Sequence, residues 1–178
     1  MMRHLTPADY VAMPWANGRG QTVEMLREVG PDGGLLLRLS MASVVEDGPF
    51  SIFPGVERNL TVITGPGFNL VAEESQFRAA PLQPVAFPGD MSIAAVGVTE
   101  PCDDFNVMTA RALPRPEVRV VQAGDVTPPP AGFLAVFALG AAAVSGRSLG
   151  KHDLLITDQV AHLSGGPCVV VAVSMTLG

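Results

Sequence analysis

Polar and aromatic residues gather in the first third of the chain at spacings that suit the wall of a binding site. Trp15, Asn17, Thr22 and Glu24 follow one another in a short segment interrupted by Gly18 and Gly20. On a strand, side chains alternate between faces, so Arg38, Ser40 and Ala42 share one side while Leu37, Leu39 and Met41 take the other. By the same phase Arg58 lies with Leu60, Val62 and Thr64, and Asp104 lies with Asn106 and Met108. A guanidinium on an apolar strand face is costly to desolvate, and it calls for a protein acid or a ligand carboxylate that it can hold through two parallel hydrogen bonds. Small-molecule pockets are mostly apolar with a few convergent polar groups. Trp15, Asn17, Thr22, Glu24, Arg38, Ser40, Arg58 and Asn106 are therefore the expected ligand contacts. Each has a structural alternative. Glu57 or Asp47 could neutralise Arg58, Asn17-Gly18 is a favoured turn, and Trp15 could cap a barrel end. Asp47-Gly48-Pro49-Phe50-Ser51 reads as a structural turn, and Asp104 and Asn106 could brace the arginines from behind.

Devices for covalent chemistry are missing from the pattern. Cys102 and Cys168 have no histidine near them in sequence and form no CxxC pair, so reduced thiols are expected. Ser145 and Ser164 lie outside any Gly-x-Ser-x-Gly elbow. Asn17-Gly18-Arg19-Gly20 lacks the lysine and the helix of a phosphate loop. No catalytic residue is assigned. For a metal-free enzyme the available general bases would be Glu24 and Asp104.

The elements that must carry these residues are short. Pro and Gly recur between β-prone runs, which places strands near residues 22–28, 35–42, 58–64, 68–72, 91–98 and 105–111, then 118–122, 133–139, 142–145, 153–157 and 169–175. Thr6 and Pro7 suit the start of a single helical turn over residues 6–11. An all-β chain with two packed barrels is expected, divided into residues 1–111, which hold the polar constellation, and residues 112–178. The formal charge is −6 with a pI near 4.9, carried wholly by the first half, where 7 Arg face 13 Asp and Glu. That balance argues against nucleic acid. The longest apolar run, 133–144, is interrupted by Gly140 and is too short for a bilayer span of roughly 20 residues. The N-terminus lacks the apolar core of a signal peptide. A cytoplasmic protein without membrane contact is expected, and exposed β edges make a homodimer a natural assembly.

Several of these motifs together resemble the HutD/Ves family. The resemblance rests on Trp15-x-Asn17-Gly18-x-Gly20-x-Thr22-x-Glu24, Arg38-x-Ser40-x-Ala42, Asp47-Gly48-Pro49-Phe50-Ser51-x-Phe53-Pro54-Gly55-x-x-Arg58, Phe87-x-Gly89-Asp90 and Asp104-x-Asn106-x-Met108-x-x-Arg111. It covers about 100 residues, and the last third matches only in its β character. It implies a double cupin fold and an association with histidine utilisation. Arg19 stands where relatives usually carry glycine. Cupin-like barrels hold metal through a His-x-His pair, an acid and a later histidine. This chain has only His4, His152 and His162, without that pair, so neither a metal nor another cofactor is expected. The expected function is binding of a small carboxylated metabolite linked to regulation of histidine utilisation. The alternative is a metal-free hydrolase or isomerase acting on a degradation intermediate such as a formimino- or formyl-glutamate.

Overall fold

The computed structural model describes residues 1–15, 18 and 20–177 of the chain. Its described residues form β1 (Met2–Leu5), a 3-10 turn (Pro7–Asp9), β2 (Val11–Pro14), β3 (Gln21–Val29), β4 (Leu35–Val44), β5 (Gly48–Pro49), β6 (Val56–Thr64), β7 (Phe68–Val71), β8 (Gln76–Ala79), β9 (Val85–Pro88), β10 (Ala94–Val96) and β11 (Cys102–Ala110). There follow β12 (Glu117–Val121), β13 (Gly124–Val126), β14 (Phe133–Ala138), β15 (Ala142–Val144), β16 (Arg147–Leu149), β17 (Leu154–Thr157), β18 (Ala161–Ser164) and β19 (Cys168–Val173). The fold is all-β, a double cupin. The expected helical turn is the 3-10 turn, with the backbone N–H and hydroxyl of Thr6 both donating to Asp9.

Two compact units divide the chain, Val11–Arg111 and a second made of Met1–Tyr10 with Ala112–Gly178. The first ten residues thus lie in the other unit from the one a boundary at 1–111 assigns them. The reason is strand pairing: β1 runs antiparallel to β17, from Met2 opposite Thr157 to Leu5 opposite Leu154. Side-chain ties reinforce it. His4 Nε2 sits 2.9 Å from an Asp153 carboxylate oxygen, and the Tyr10 hydroxyl donates to the His152 carbonyl at 2.6 Å. Within this unit a five-stranded sheet (β1-β17-β14-β19-β12) and a four-stranded sheet (β13-β18-β15-β16) enclose an apolar cluster that includes Leu134, Val136, Leu155, Leu163 and Val170.

The Val11–Arg111 unit pairs a six-stranded sheet (β2-β3-β4-β11-β6-β9) with a four-stranded one (β5-β10-β7-β8). Chain reversal between β6 and β7 depends on glycine. Gly67 has φ +81°, and a Cβ there would lie 2.2 Å from the Ala79 carbonyl. Leu60, Val62, Phe68, Leu70, Phe87 and Ile93 fill the interior between the sheets. Each such side chain stabilises the fold by about 1.5–3 kcal/mol when fully buried. The same face of the six-stranded sheet turns polar toward one end, and there the interior opens.

Candidate functional site in the Val11–Arg111 unit

Register places the polar residues side by side. In antiparallel pairing, residues directly opposite each other share a face. Arg38 pairs with Met108 and Met108 with Arg58, giving one row across β4, β11 and β6. Ser40, Asn106 and Leu60 form the next row, and Ala42, Asp104 and Val62 the third. On β3, Thr22 lies opposite Ala42 and Glu24 opposite Ser40, before a bulge at Met25 shifts the register.

These rows floor a cleft of about 470 Å³. Its lining includes Trp15, Thr22, Arg38, Ser40, Arg58, Leu60, Asp104, Asn106 and Met108, with a wall of Pro49, Phe50, Ser51 and Phe53. A neighbouring lobe of about 270 Å³ shares Trp15, Val44, Pro49 and Phe50 and adds Glu46 and Asp47. Six of the expected contacts therefore meet in one place. Glu24 is on the same sheet face but does not line the cleft. Its Oε2 accepts from Arg38 Nε at 2.6 Å and lies 3.7 Å from Arg27. Asn17 and Arg19 lie outside the described residues.

Arg58 is the centre of the arrangement. It is only 8% exposed. The rings of Phe50, Phe53 and Phe87 surround its guanidinium at 5.3, 5.4 and 5.1 Å, Phe87 being its direct partner across β6 and β9. Its hydrogen bonds are long: 3.3 Å to the Ser51 carbonyl and 3.2 Å to Asn106 Oδ1. Its Nε has no partner. Among the described residues no carboxylate reaches ion-pair distance of it. Asp47 instead accepts the Val98 backbone N–H, and Glu57 accepts Arg111, so neither acid that the sequence offers as a structural partner serves. Burial pulls the Arg58 guanidinium down to about 10, with Asp104 opposing and Arg38 assisting that shift.

Asp104 is 1% exposed, and its Oδ1 accepts from Asn106 Nδ2. Burial pushes its carboxyl up to about 7, against the lowering effects of Arg58 and the Asn106 bond. Asn106 thus bridges an acid and a base that do not touch. Trp15 closes one side of the cleft, its indole N–H donating to the Thr22 hydroxyl at 3.0 Å. Gly20 makes room for that ring, because a Cβ there would lie 2.9 Å from it. Among the described residues no group of three His, Cys, Asp or Glu is arranged to hold a metal, and no helix is long and apolar enough to cross a membrane. Cys102 and Cys168 are free and buried.

The aromatic box around Arg58 was not read from the sequence. Phe50 falls in the segment that reads as a structural turn, and Phe53 and Phe87 are not among the expected contacts. The available signal was the strand phase of Arg58, which sets its guanidinium among the apolar side chains of that face, where aromatic rings can meet a cation.

Comparison with known proteins agrees with the motif pattern. The HutD family model matches residues 7–171. An uncharacterized 21.2 kDa protein in the hutC 3′ region of Pseudomonas putida is 36% identical over 108 residues, which is 60% of this chain and 57% of that protein. This chain therefore spans little more than half the length of that relative. The structure of HutD from Pseudomonas fluorescens SBW25, in a formate condition, superimposes with a TM-score of 0.86 at 32% identity, covering 100% of both chains. A conserved protein of unknown function from Pseudomonas aeruginosa PAO1 gives a TM-score of 0.79 at 29% identity over 96% of each chain.

Proposed function

Because the chain belongs to the HutD family, we propose that it binds a small carboxylated metabolite of histidine breakdown in the cleft of the Val11–Arg111 unit and serves to regulate histidine utilisation. One observation carries the ligand class. Arg58 is buried among three aromatic rings, its Nε is unpartnered, and among the described residues no carboxylate reaches it. A guanidinium in that position is poorly compensated until an anion arrives, and a carboxylate matches its planar fork. Arg38, by contrast, already has Glu24 at 2.6 Å. The cleft's volume of about 470 Å³ suits a molecule of the size of urocanate, N-formiminoglutamate or N-formylglutamate. Trp15, Phe50 and Phe53 offer apolar walls for the remainder of such a ligand.

A rival reading is supported by Asp104. Its carboxyl, pushed up to about 7 by burial, has the affinity of a general base operating near neutral pH. In that reading the protein is a metal-free hydrolase or isomerase, with Arg58 holding the substrate. Glu24 is the weaker base of the two, since its carboxylate is held on Arg38. Incubating the protein with each of the three intermediates, followed by proton NMR and by Trp15 fluorescence, separates the readings. A fluorescence change at saturation with an unaltered NMR spectrum supports the binder. Conversion of an intermediate, lost in Asp104→Asn, supports the enzyme. No response to any carboxylate overturns both.

A further inference from the structure

Among the described residues, Arg27, opposite Arg38 and half-exposed, lies at the edge of this sheet face beside Glu24, and the four charged groups nearer the cleft fall into two unequal pairs. Arg38 and Glu24 are in contact at 2.6 Å and neutralise each other. Arg58 and Asp104 are not in contact, and Asn106 stands between them, its Oδ1 accepting from Arg58 at 3.2 Å and its Nδ2 donating to Asp104. The next acid on β11, Asp103, faces the other way, held by the hydroxyls of Ser43 and Thr64. Pro49, Phe50, Ser51 and Phe53 bring no ionisable group against the pair. Among the described residues, Arg58 is therefore the cation that Asp104 draws on.

A carboxylate seated on Arg58, as the preceding subsection holds, competes with Asp104 for that cation. Arg58 then faces two anions, the ligand and Asp104, inside largely apolar walls, while Glu24 stays with Arg38 and Arg27. Two carboxylates that share one favourable position do not both stay ionised, because mutual repulsion at low dielectric raises one affinity for a proton sharply.

We propose that the cleft takes up its ligand as an anion together with one proton, and that Asp104 is the residue that binds the proton. The only covalent change is formation of the Asp104 O–H bond, with the proton drawn from solvent. A protonated Asp104 donates where the ionised form accepts. Asn106 then turns its amide over, accepting from Asp104 through Oδ1 and offering Nδ2–H to the ligand, while the ligand replaces Asn106 on Arg58. Asp104 and Asn106 thus become positioning residues for carboxylate capture. The free carboxyl already titrates at about 7, so the coupling operates in the neutral range. Well below that value Asp104 is protonated before and after binding and no proton is taken up. Above it, each bound anion draws in close to one proton, and affinity falls by about tenfold per pH unit.

The inference rests on the carboxylate reading, and the test keeps the two apart. Sodium formate is titrated into the wild-type protein by calorimetry at about pH 8 and about pH 5.5, each in two buffers of different ionisation enthalpy. The expected result is uptake of nearly one proton per formate at the higher pH and nearly none at the lower. In Asp104→Asn the expected uptake is nil at both, with an affinity that no longer depends on pH. Formate binding to wild type without proton uptake at the higher pH overturns the inference, as does the same uptake in Asp104→Asn. If that variant fails to fold, the wild-type proton count decides alone. Failure of formate to bind at the lower pH, where no proton is required, overturns the carboxylate reading itself.

Discussion

Replacing Arg58 with Met should leave the folded protein nearly as stable as before while removing the ligand's anchor. Burial lowers the guanidinium from its ordinary value to about 10, and such a shift corresponds to about 3 kcal/mol that the charged form costs the folded state at neutral pH. The sign follows from the direction. The folded-state value is depressed, so the cost is present in full below about 10 and is relieved only as pH rises above it toward the ordinary guanidinium value. Methionine removes this cost. It also removes two long hydrogen bonds, at 3.3 and 3.2 Å, worth about 1 kcal/mol each. The three aromatic contacts are lost as cation–π interactions of about 0.5–1 kcal/mol apiece, partly restored by sulfur–aromatic contacts. Asp104, without its cation, keeps its proton and adds no buried charge. Gains and losses cancel to within about 1.5 kcal/mol. Urea unfolding at neutral pH measures the balance, and calorimetry should show carboxylate binding weakened by about 2–4 kcal/mol. A stability loss beyond about 3 kcal/mol with binding intact would make Arg58 a structural residue and not the ligand's anchor.

Two other substitutions probe the surroundings of Arg58. Glu24→Gln keeps a hydrogen bond to Arg38 but removes the opposing charge, so carboxylate should bind more tightly, by up to about tenfold (roughly 1.4 kcal/mol), at a cost in urea stability of about 1–2 kcal/mol. A weakened affinity would show that Glu24 itself meets the ligand. Gly20→Ala drives a methyl group into the Trp15 ring, from which the ideal Cβ lies 2.9 Å away. Its tryptophan emission should shift and its carboxylate affinity fall, and an unchanged affinity measured by calorimetry would remove Trp15 from the site.

Much of the site was legible because strand phase is a strict rule. Arg38 with Ser40, Arg58 with Leu60, and Asp104 with Asn106 were each assigned to one face from alternation alone, and register lines those faces up. Which strands become neighbours is a long-range matter, and alternation is silent on it. Glu24 shows the consequence: its distance from the cleft follows from its pairing with Arg38 beside the Met25 bulge, which no local pattern announces. Phe50 reads as a turn residue because it sits among Pro and Gly, and the same neighbours hide Phe53. Their contact with Arg58 depends on how the segment between β5 and β6 closes over the sheet. The fold class was legible in the spacing of turn residues. The placement of β1 beside β17 was not, since nothing in Met2–Leu5 distinguishes one partner strand from another.

Diffraction can locate a bound carboxylate atom by atom. A crystal structure of the protein grown with N-formylglutamate, or with formate as the smallest probe, should show carboxylate oxygens within about 3.2 Å of the Arg58 guanidinium, beside Asn106 and between the walls formed by Trp15 and Phe50. A well-occupied ligand elsewhere, or one held by Arg38 with Glu24 displaced and Arg58 untouched, would contradict the account.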